Sequence, residues 1–115
     1  MTDIRSIARR WIEVWGVGNP ASLPLADDFT HTSPFGTIRG RAKYLEIVEP
    51  MAEANVAALH VKDVIAEGNR AAILLTMDIP GATVDCCDWL VIEDNLIRSV
   101  HSHYDSRNIS NFEKY

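Results

Sequence analysis

The sequence has little of what marks the more specialised protein classes. It contains two cysteines, 8% aromatic residues and fewer basic than acidic residues, 11 against 16. Its net charge of −5 disfavours nucleic acid or an anionic membrane as the main partner. No apolar run approaches the roughly 20 residues of a membrane-spanning helix, and the opening MTDIRSIARRW lacks the apolar core of a signal peptide. We therefore expect a cytoplasmic protein that binds neither nucleic acid nor membrane.

The scarcity of cysteine also excludes a disulfide scaffold. Cys86 and Cys87 are neighbours, so in a strand their side chains face opposite sides and a bond between them would be strained. We therefore interpret both as reduced thiols. Neither is expected to act as a nucleophile, because no obvious base lies nearby in the sequence. With 47% apolar and 23% charged residues, the chain predicts one soluble globular domain spanning residues 1–115.

Apolar spacing predicts helices in the first half of the chain. A first helix begins near Ile4, and its apolar residues lie three and four positions apart: Ile4, Ile7, Ala8, Trp11 and Trp15. Asn19 before Pro20 predicts a short second helix, and DFTHTS predicts a short strand that PFG interrupts. A third helix is predicted from Gly40 through RAKYLEIVEPMAEA, with a kink or an early end at Pro50.

The second half of the chain predicts four long antiparallel strands. VAALHVKDVIAE ends at GN, a two-residue hairpin signal, and RAAILLTMDI pairs back. TVDCCDWLVI and LIRSVHSHYD follow, joined through EDN, and the polar tail SRNISNFEKY is expected to be loose. This order predicts an α+β fold, a cone-shaped α+β barrel in which three N-terminal helices pack on a curved antiparallel sheet and enclose a pocket.

Three stretches connect this order to a known family: LADDFTHTSPFG, the RG that opens the third helix, and EDNLIRSVHSHYD. With the order of elements, they resemble the nuclear transport factor 2-like superfamily, within it the SnoaL-like and ketosteroid isomerase-like branch, over residues 4 to about 109. The resemblance implies a pocket between the first helix and the concave sheet, and a homodimer formed through the sheet. It leaves function open, because the superfamily includes isomerases, dehydratases, epoxide hydrolases, polyketide cyclases, transport adaptors and binding modules.

The resemblance carries over only part of each known catalytic set. Ketosteroid isomerases use a base Asp near the end of the first strand, a Tyr on the first helix and a protonated Asp on the third long strand. The aligned positions here hold Ser33, Trp11 and Asp88, so one of the three matches. Limonene epoxide hydrolases use an Asp-Arg-Asp set with a Tyr and an Asn. Here His31 and Ser33 stand at the Tyr and Asn positions, Asp88 matches one Asp, and Cys86 and Ser102 replace the Arg and the other Asp.

Asp88 is the most informative residue of the sequence, since a carboxylate within an apolar strand must pair, bind a metal or become neutral. In an apolar pocket its pKa would rise, and it would serve as a donor or as a general acid or base. The alternative is a structural carboxylate that pairs with Arg98 or His101, or that is bonded to Trp11.

Strand alternation groups the other candidates: Asp88 shares a face with Cys86 and Leu90, and His31 shares one with Ser33. His31 is the candidate general base, because an unperturbed histidine titrates near ~6.5. The alternative is a half-buried histidine bonded to the backbone.

The register of the last hairpin decides which residues join Asp88. A three-residue EDN loop pairs Asp88 with Val100 and places Tyr104 in the pocket, as the family alignment favours. A two-residue DN loop pairs Asp88 with His101 instead. His101, His103 and Asp105 share the other face of this strand and have ligand types that Zn or Fe accepts. Spacing alone is weak evidence, and we expect no metal and no other cofactor.

These residues lead to one functional hypothesis, a cofactor-independent isomerase, dehydratase or cyclase that moves a proton on a hydrophobic small molecule. Its predicted catalytic residues are Asp88, His31 and Tyr104. Its predicted substrate-binding residues are Trp11, Trp15, Ser33, Phe35, Tyr44, Met51, Cys86, Leu90, Val100 and Ser102, of which the aromatic ones fit a plain core equally well. Two alternatives remain open: a non-catalytic binding or dimerisation module, and a limonene-type epoxide hydrolase.

Overall fold

In the part of the chain that the structure describes, two α-helices pack on one six-stranded sheet. The computed structural model describes residues 3–17, 19–53 and 58–107, and it confirms the predicted α+β class and the curved sheet. The helices are α1 (Ile4–Val17) and α2 (Arg41–Glu53). The strands are β1 (Leu25–Ser33), β2 (Gly36–Arg39), β3 (Ala58–Glu67), β4 (Arg70–Ile79), β5 (Ala82–Glu93) and β6 (Leu96–Tyr104).

The helices follow the apolar spacing, with two departures from the prediction. α1 buries Ile7, Ala8 and Trp11 and contacts β3 and β4. The predicted second helix is one 3₁₀ turn, Pro20–Ser22. α2 continues past Pro50 to Glu53, because a proline in the final turn removes only one helical hydrogen bond. Within the described residues, no helix is long and apolar enough to cross a membrane.

The sheet is mixed, with the order β2-β1-β6-β5-β4-β3. β3 to β6 form the predicted antiparallel meander. The first hairpin turns at Gly68 and Asn69 as predicted, with Gly68 at a φ of 60° that glycine adopts without strain. β1 pairs in parallel with β6, so the sheet is not antiparallel throughout. β2 was not predicted; its four residues turn back on β1 directly after PF.

The last hairpin has neither of the two registers that the sequence predicted. Its turn has two residues, Asp94 and Asn95, with positive φ values of 54° and 63°. One extra residue in β6, Arg98, forms a bulge, because Val91 pairs with Ser99 whereas Ile92 pairs with Ile97. Asp88 therefore pairs with Ser102 and not with Val100 or His101. The bulge shifts the alternation by one residue, so the inward set is Val100, Ser102 and Tyr104, while His101 and His103 point outward.

The polar tail lies outside the described residues from residue 108 onward. The core lies between the concave face of the sheet and the two helices, and it includes large, fully buried side chains from both layers: Phe29, Tyr44, Ile73, Leu75, Leu90, Ile92, Ile97 and Val100. The candidate polar residues are set into this apolar layer.

Candidate functional site

Asp88 is buried on the concave face of β5, with 4% of its surface exposed. Cys86 and Leu90 share that face and are buried, whereas Trp89 on the opposite face is 44% exposed. The predicted alternation of this strand is therefore present, and it directs the carboxyl group into the core beneath α1.

Two neighbours donate hydrogen bonds to the Asp88 carboxylate, and Ser102 faces it from the paired strand. The indole Nε1 of Trp11 donates to Oδ2 over 2.8 Å, and the thiol of Cys86 donates to Oδ1 over 3.4 Å. Ser102 lies directly opposite Asp88 in the register, and a hydrogen bond from its side chain lowers the pKa of this carboxyl group. Arg98 pairs with Asp28 instead, at 3.1 Å. The Trp11 N–H is therefore engaged by Asp88, which is one of the contacts that the structural alternative for this carboxylate predicted.

Burial dominates the acid–base properties of this carboxyl group. Loss of hydration raises the pKa of Asp88, and the hydrogen bonds from Ser102, Trp11 and Cys86 oppose that rise, as does the charge of His103. Burial, reinforced by the adjacent carboxylate, also raises the pKa of the Cys86 thiol. Cys86 therefore stays protonated near neutral pH, which agrees with its interpretation as an inert thiol.

His31 reaches the same network from β1. Its Nε2 lies 2.9 Å from the Ser102 Oγ, so the ring is bonded to a side chain and not to the backbone. Its Nδ1 is shielded from solvent and has no hydrogen-bond partner within the described residues. Burial, with a smaller contribution from His101, lowers the pKa of His31 to about 4. The imidazole is therefore neutral near pH 7, with one nitrogen unsatisfied.

Aromatic rings enclose His31 on the helix side. The ring of Trp11 lies edge-on at 5.5 Å between centroids, and that of Tyr44 lies edge-on at 5.6 Å. Tyr44 stacks on Trp11 at 5.6 Å, and Phe29 meets Tyr44 edge-on at 4.9 Å. Phe29 was missing from the sequence-based site, although its position two residues before His31 in a strand places it on the same face.

The remaining candidates lie around this cluster. Tyr104 is half-buried, pairs with Cys86 across the strands and has its ring 6.2 Å from that of Phe35. The hydroxyl of Ser33 accepts a hydrogen bond from the Phe35 backbone N–H over 3.2 Å, so it stabilises the β1–β2 turn. Leu90 and Val100 are paired, buried core residues, and Trp15 and Met51 are half-buried on the helices.

The two outward histidines form a separate feature. The rings of His101 and His103 stack at 4.4 Å between centroids on the convex face of the sheet. Asp105 binds Arg107, whose guanidinium lowers the pKa of this carboxyl group to about 2. Across the described residues, no three histidine, cysteine, aspartate or glutamate side chains are grouped as metal ligands would be.

The inward cluster therefore combines two ionisable groups whose pKa values are shifted in opposite directions, upward for Asp88 and downward for His31. Burial favours the neutral form of both Asp88 and His31, and a single hydroxyl group connects them. Such an arrangement can accept or deliver a proton in a site from which water is largely excluded.

Comparison with known proteins extends this picture. The family model for the SnoaL-like domain matches residues 8–100. Among curated proteins, none matches the chain significantly. An NTF2-like protein of unknown function from Cytophaga hutchinsonii has a similar structure, with 22% identity, 95% of this chain and 96% of that chain covered, and a TM-score of 0.83.

Two further structures carry provisional functional names. A provisionally named ketosteroid isomerase from Kribbella flavida is 20% identical, covers 89% of this chain and 77% of its own, and has a TM-score of 0.73. A provisionally named polyketide cyclase from Sinorhizobium meliloti is 15% identical, covers 84% of this chain and 93% of its own, and has a TM-score of 0.74. At such identities the likeness establishes the shared fold and not a shared activity.

Proposed function

The chain belongs to the SnoaL-like domain family, and from that premise we propose that it is a cofactor-independent proton-transfer enzyme. Its substrate would be a hydrophobic small molecule held between α1, α2 and the concave face of the sheet. The reaction would be an isomerisation, a dehydration or a cyclisation that begins with removal of a proton from carbon.

One observation carries this proposal, the unsatisfied Nδ1 of His31. A buried polar atom without a partner is unfavourable and calls for an explanation, and a ligand that supplies the missing contact provides one. A neutral imidazole is also the form that accepts a proton, and the lowered pKa of His31 keeps the ring neutral near pH 7.

The surrounding residues suit a hydrophobic carbonyl compound. The rings of Trp11 and Tyr44 lie beside His31, and Phe29 packs on Tyr44. All three are at most 3% exposed, so a ligand would have to displace them to reach the imidazole. Tyr104 lies two residues beyond Ser102 on the same face, about 7 Å along the strand. A ligand of several carbon atoms beside His31 would therefore reach Tyr104, whose phenol we assign as the donor to the oxygen on which negative charge develops.

Proton exchange at carbon tests the proposal without knowledge of the natural substrate. The probe is a β,γ-unsaturated cyclohexenone, whose conversion to the conjugated enone is followed by absorbance and by deuterium incorporation. We expect His31→Gln and Asp88→Asn each to lower the rate by about 10²-fold or more. The matched controls are His60→Gln and Asp27→Asn at two separate exposed positions, and they should leave the rate unchanged. A wild-type rate that none of these variants lowers would overturn the proposal.

The same assay separates the two alternatives. A binding module would bind the cyclohexenone, and related polyketide-like ketones, without exchanging a proton, and the hydrogen bonds to Asp88 would then be purely structural. A limonene-type epoxide hydrolase would open an epoxide probe instead. That route needs a water held between His31 and Asp88, but the hydroxyl of Ser102 occupies the bridging position.

We also propose that two copies pair through the convex face of the sheet. Ile65, Leu74 and Trp89 are exposed there by 62%, 47% and 44%, and they lie on three consecutive strands. A shallow depression of about 240 Å³ beside Trp89 is lined by both Glu67 and Arg70. A two-fold pairing brings such a patch against its own copy, where opposite charges at the rim can meet.

A further inference from the structure

Among the described residues, two side chains contact both His31 and Asp88: Trp11 through its ring and its N–H, and Ser102, the one that faces both groups with a hydroxyl group. On one side the Ser102 Oγ lies 2.9 Å from the Nε2 of His31. On the other, Ser102 pairs with Asp88 across the strands, and its side chain acts on the pKa of that carboxyl group as a hydrogen-bond donor. A hydroxyl group carries one proton and two lone pairs, so it can donate in one direction only while accepting from the other.

The fixed donors around Asp88 determine that direction. An indole N–H can only donate, and the Cys86 thiol has its proton directed at the carboxylate. When Asp88 is ionised, Ser102 also donates to it, so Oγ must accept from the Nε2–H of His31. The Nδ1 of the ring then carries a free lone pair.

Protonation of the carboxyl group reverses the chain. A neutral Asp88 donates its O–H to the Ser102 Oγ, and Ser102 then donates to Nε2. The single proton of the neutral ring must then lie on Nδ1. The tautomer of His31 is therefore tied to the ionisation of Asp88 through one hydroxyl group.

We propose that Ser102 relays a proton between His31 and Asp88, so that the pair acts as one base with its accepting atom at Nδ1 and its storage site on the carboxyl group. The inference rests on the proposed function and deepens it. The step begins with Asp88 ionised, the state that its hydrogen-bond donors favour against burial. A proton leaves the substrate carbon for Nδ1, the Nε2 proton passes to Ser102 Oγ, and the hydroxyl proton of Ser102 passes to the carboxylate. The ring ends neutral, Asp88 ends as a neutral acid, and the negative charge ends on the substrate as an enolate.

Such a relay removes a weakness of each group alone. Burial makes isolated His31 a poor base, because it disfavours the imidazolium that a proton would create. The same burial makes the neutral form of Asp88 favourable, but the carboxyl oxygens are already engaged by Trp11 and Cys86. The relay lets His31 meet the ligand while no buried cation forms. The other titratable groups near this pair come from β5, β6 and α2: Cys86, His101, His103 and Tyr44.

Nuclear magnetic resonance of the full chain without any substrate tests the relay. Nitrogen-15 in the histidine rings reports which nitrogen of His31 carries the proton, and carbon-13 in the carboxyl groups reports the titration of Asp88. In the wild type, we expect the His31 ring to change from the Nδ1–H to the Nε2–H tautomer at the same pH midpoint at which Asp88 ionises.

Two variants of Ser102 provide the comparison. Ser102→Thr keeps the hydroxyl group and should keep one shared midpoint, whereas Ser102→Ala should separate the tautomer change from the Asp88 titration. Ser99→Ala, three residues earlier in β6, is the matched control. A wild-type ring that keeps one tautomer while Asp88 titrates, or an alanine variant that keeps the shared midpoint, would overturn the inference. If alanine prevents folding, the wild-type and threonine titrations still decide the matter.

Kinetics then separate the relay from the proposed function. If the cyclohexenone is turned over, Ser102→Ala should lower kcat by about 10²-fold with little change in KM, and threonine should restore most of that loss. If the His31 tautomer and Asp88 share one pH midpoint but no substrate is turned over, the relay is supported and the enzymatic function is refuted. Turnover that is insensitive to Ser102 would refute the relay and leave the function standing.

Discussion

Replacement of His31 by glutamine should change how the stability of the protein depends on pH. Glutamine can still present an N–H toward the Ser102 Oγ, but it cannot take up a proton in the acid range. In the folded protein the pKa of His31 is lowered from 6.5 to about 4. The unfolded chain therefore binds a proton at this residue through a pH range in which the folded chain does not.

The size of the effect follows from that difference. Wild-type stability from this residue is fully present above about pH 6.5 and is lost as the pH falls through about 4. The interval corresponds to about 3 kcal/mol of unfolding free energy. The raised pKa of Asp88 contributes the opposite slope, because its ionisation in the folded protein is unfavourable. That contribution is present in both proteins, so it largely cancels in their difference.

Urea unfolding of both proteins between about pH 4 and pH 7 measures this difference. We expect the wild type to gain about 3 kcal/mol over His31→Gln across the interval. The control is His60→Gln. The His60 side chain is 60% exposed, and its Nε2 lies 3.0 Å from the Asp78 carboxylate, a surface ion pair that contributes little to stability. A difference between wild type and His31→Gln that stays constant with pH would refute the claim that burial keeps this ring neutral.

Three further predictions concern the donor on Asp88, the last turn and the convex face. Trp11→Phe removes a donor to a buried carboxylate and should lower the unfolding free energy by about 2–3 kcal/mol, whereas Trp15→Phe on the same helix should cost less; equal losses in urea unfolding would contradict the hydrogen bond. Asn95→Gly should raise the unfolding free energy by about 0.5–1 kcal/mol, because glycine adopts the positive φ of 63° without strain, and a less stable variant would argue against this turn. Trp89→Glu should convert a dimer to a monomer in sedimentation velocity, and a monomeric wild type at high concentration would refute pairing through this face.

Local patterns were sufficient to predict most of the fold. The apolar spacing of α1 and the alternation of β5 each depend on neighbours within a few residues, and both are present as predicted. The GN turn is equally local. β2 escaped prediction because GTIR is too short for its alternation to stand out. The parallel pairing of β1 with β6 also escaped, because residues more than 60 positions apart form it.

The sequence was sufficient to predict which residues form the candidate site, but not which hydrogen bonds join them. Alternation alone directs Asp88 inward, but Trp11 donates to it across 77 positions of sequence, and no spacing rule predicts that contact. The sequence named Trp11 beside Arg98 and His101 as alternative partners of Asp88, and the fold selects Trp11, since Arg98 pairs with Asp28. The unsatisfied Nδ1 of His31 depends on every ring and hydroxyl group around it, and so only the folded structure reveals it.

The chemistry of the site depends on the bulge in β6, where Arg98 is the one residue without a partner in β5. With the two-residue turn and no bulge, β6 would present His101 to Asp88, and an imidazole beside a buried carboxylate would take its proton and hold it as an ion pair. Because Arg98 is an extra residue in β6, Ser102 takes the position opposite Asp88 that His101 would otherwise hold. The group that faces the carboxylate is therefore a hydroxyl group. A hydroxyl group neither neutralises the carboxylate nor holds its proton, so the pKa of Asp88 remains raised and the link to His31 remains open. The bulge therefore determines whether this interior holds a closed ion pair or a pair of groups that can exchange a proton.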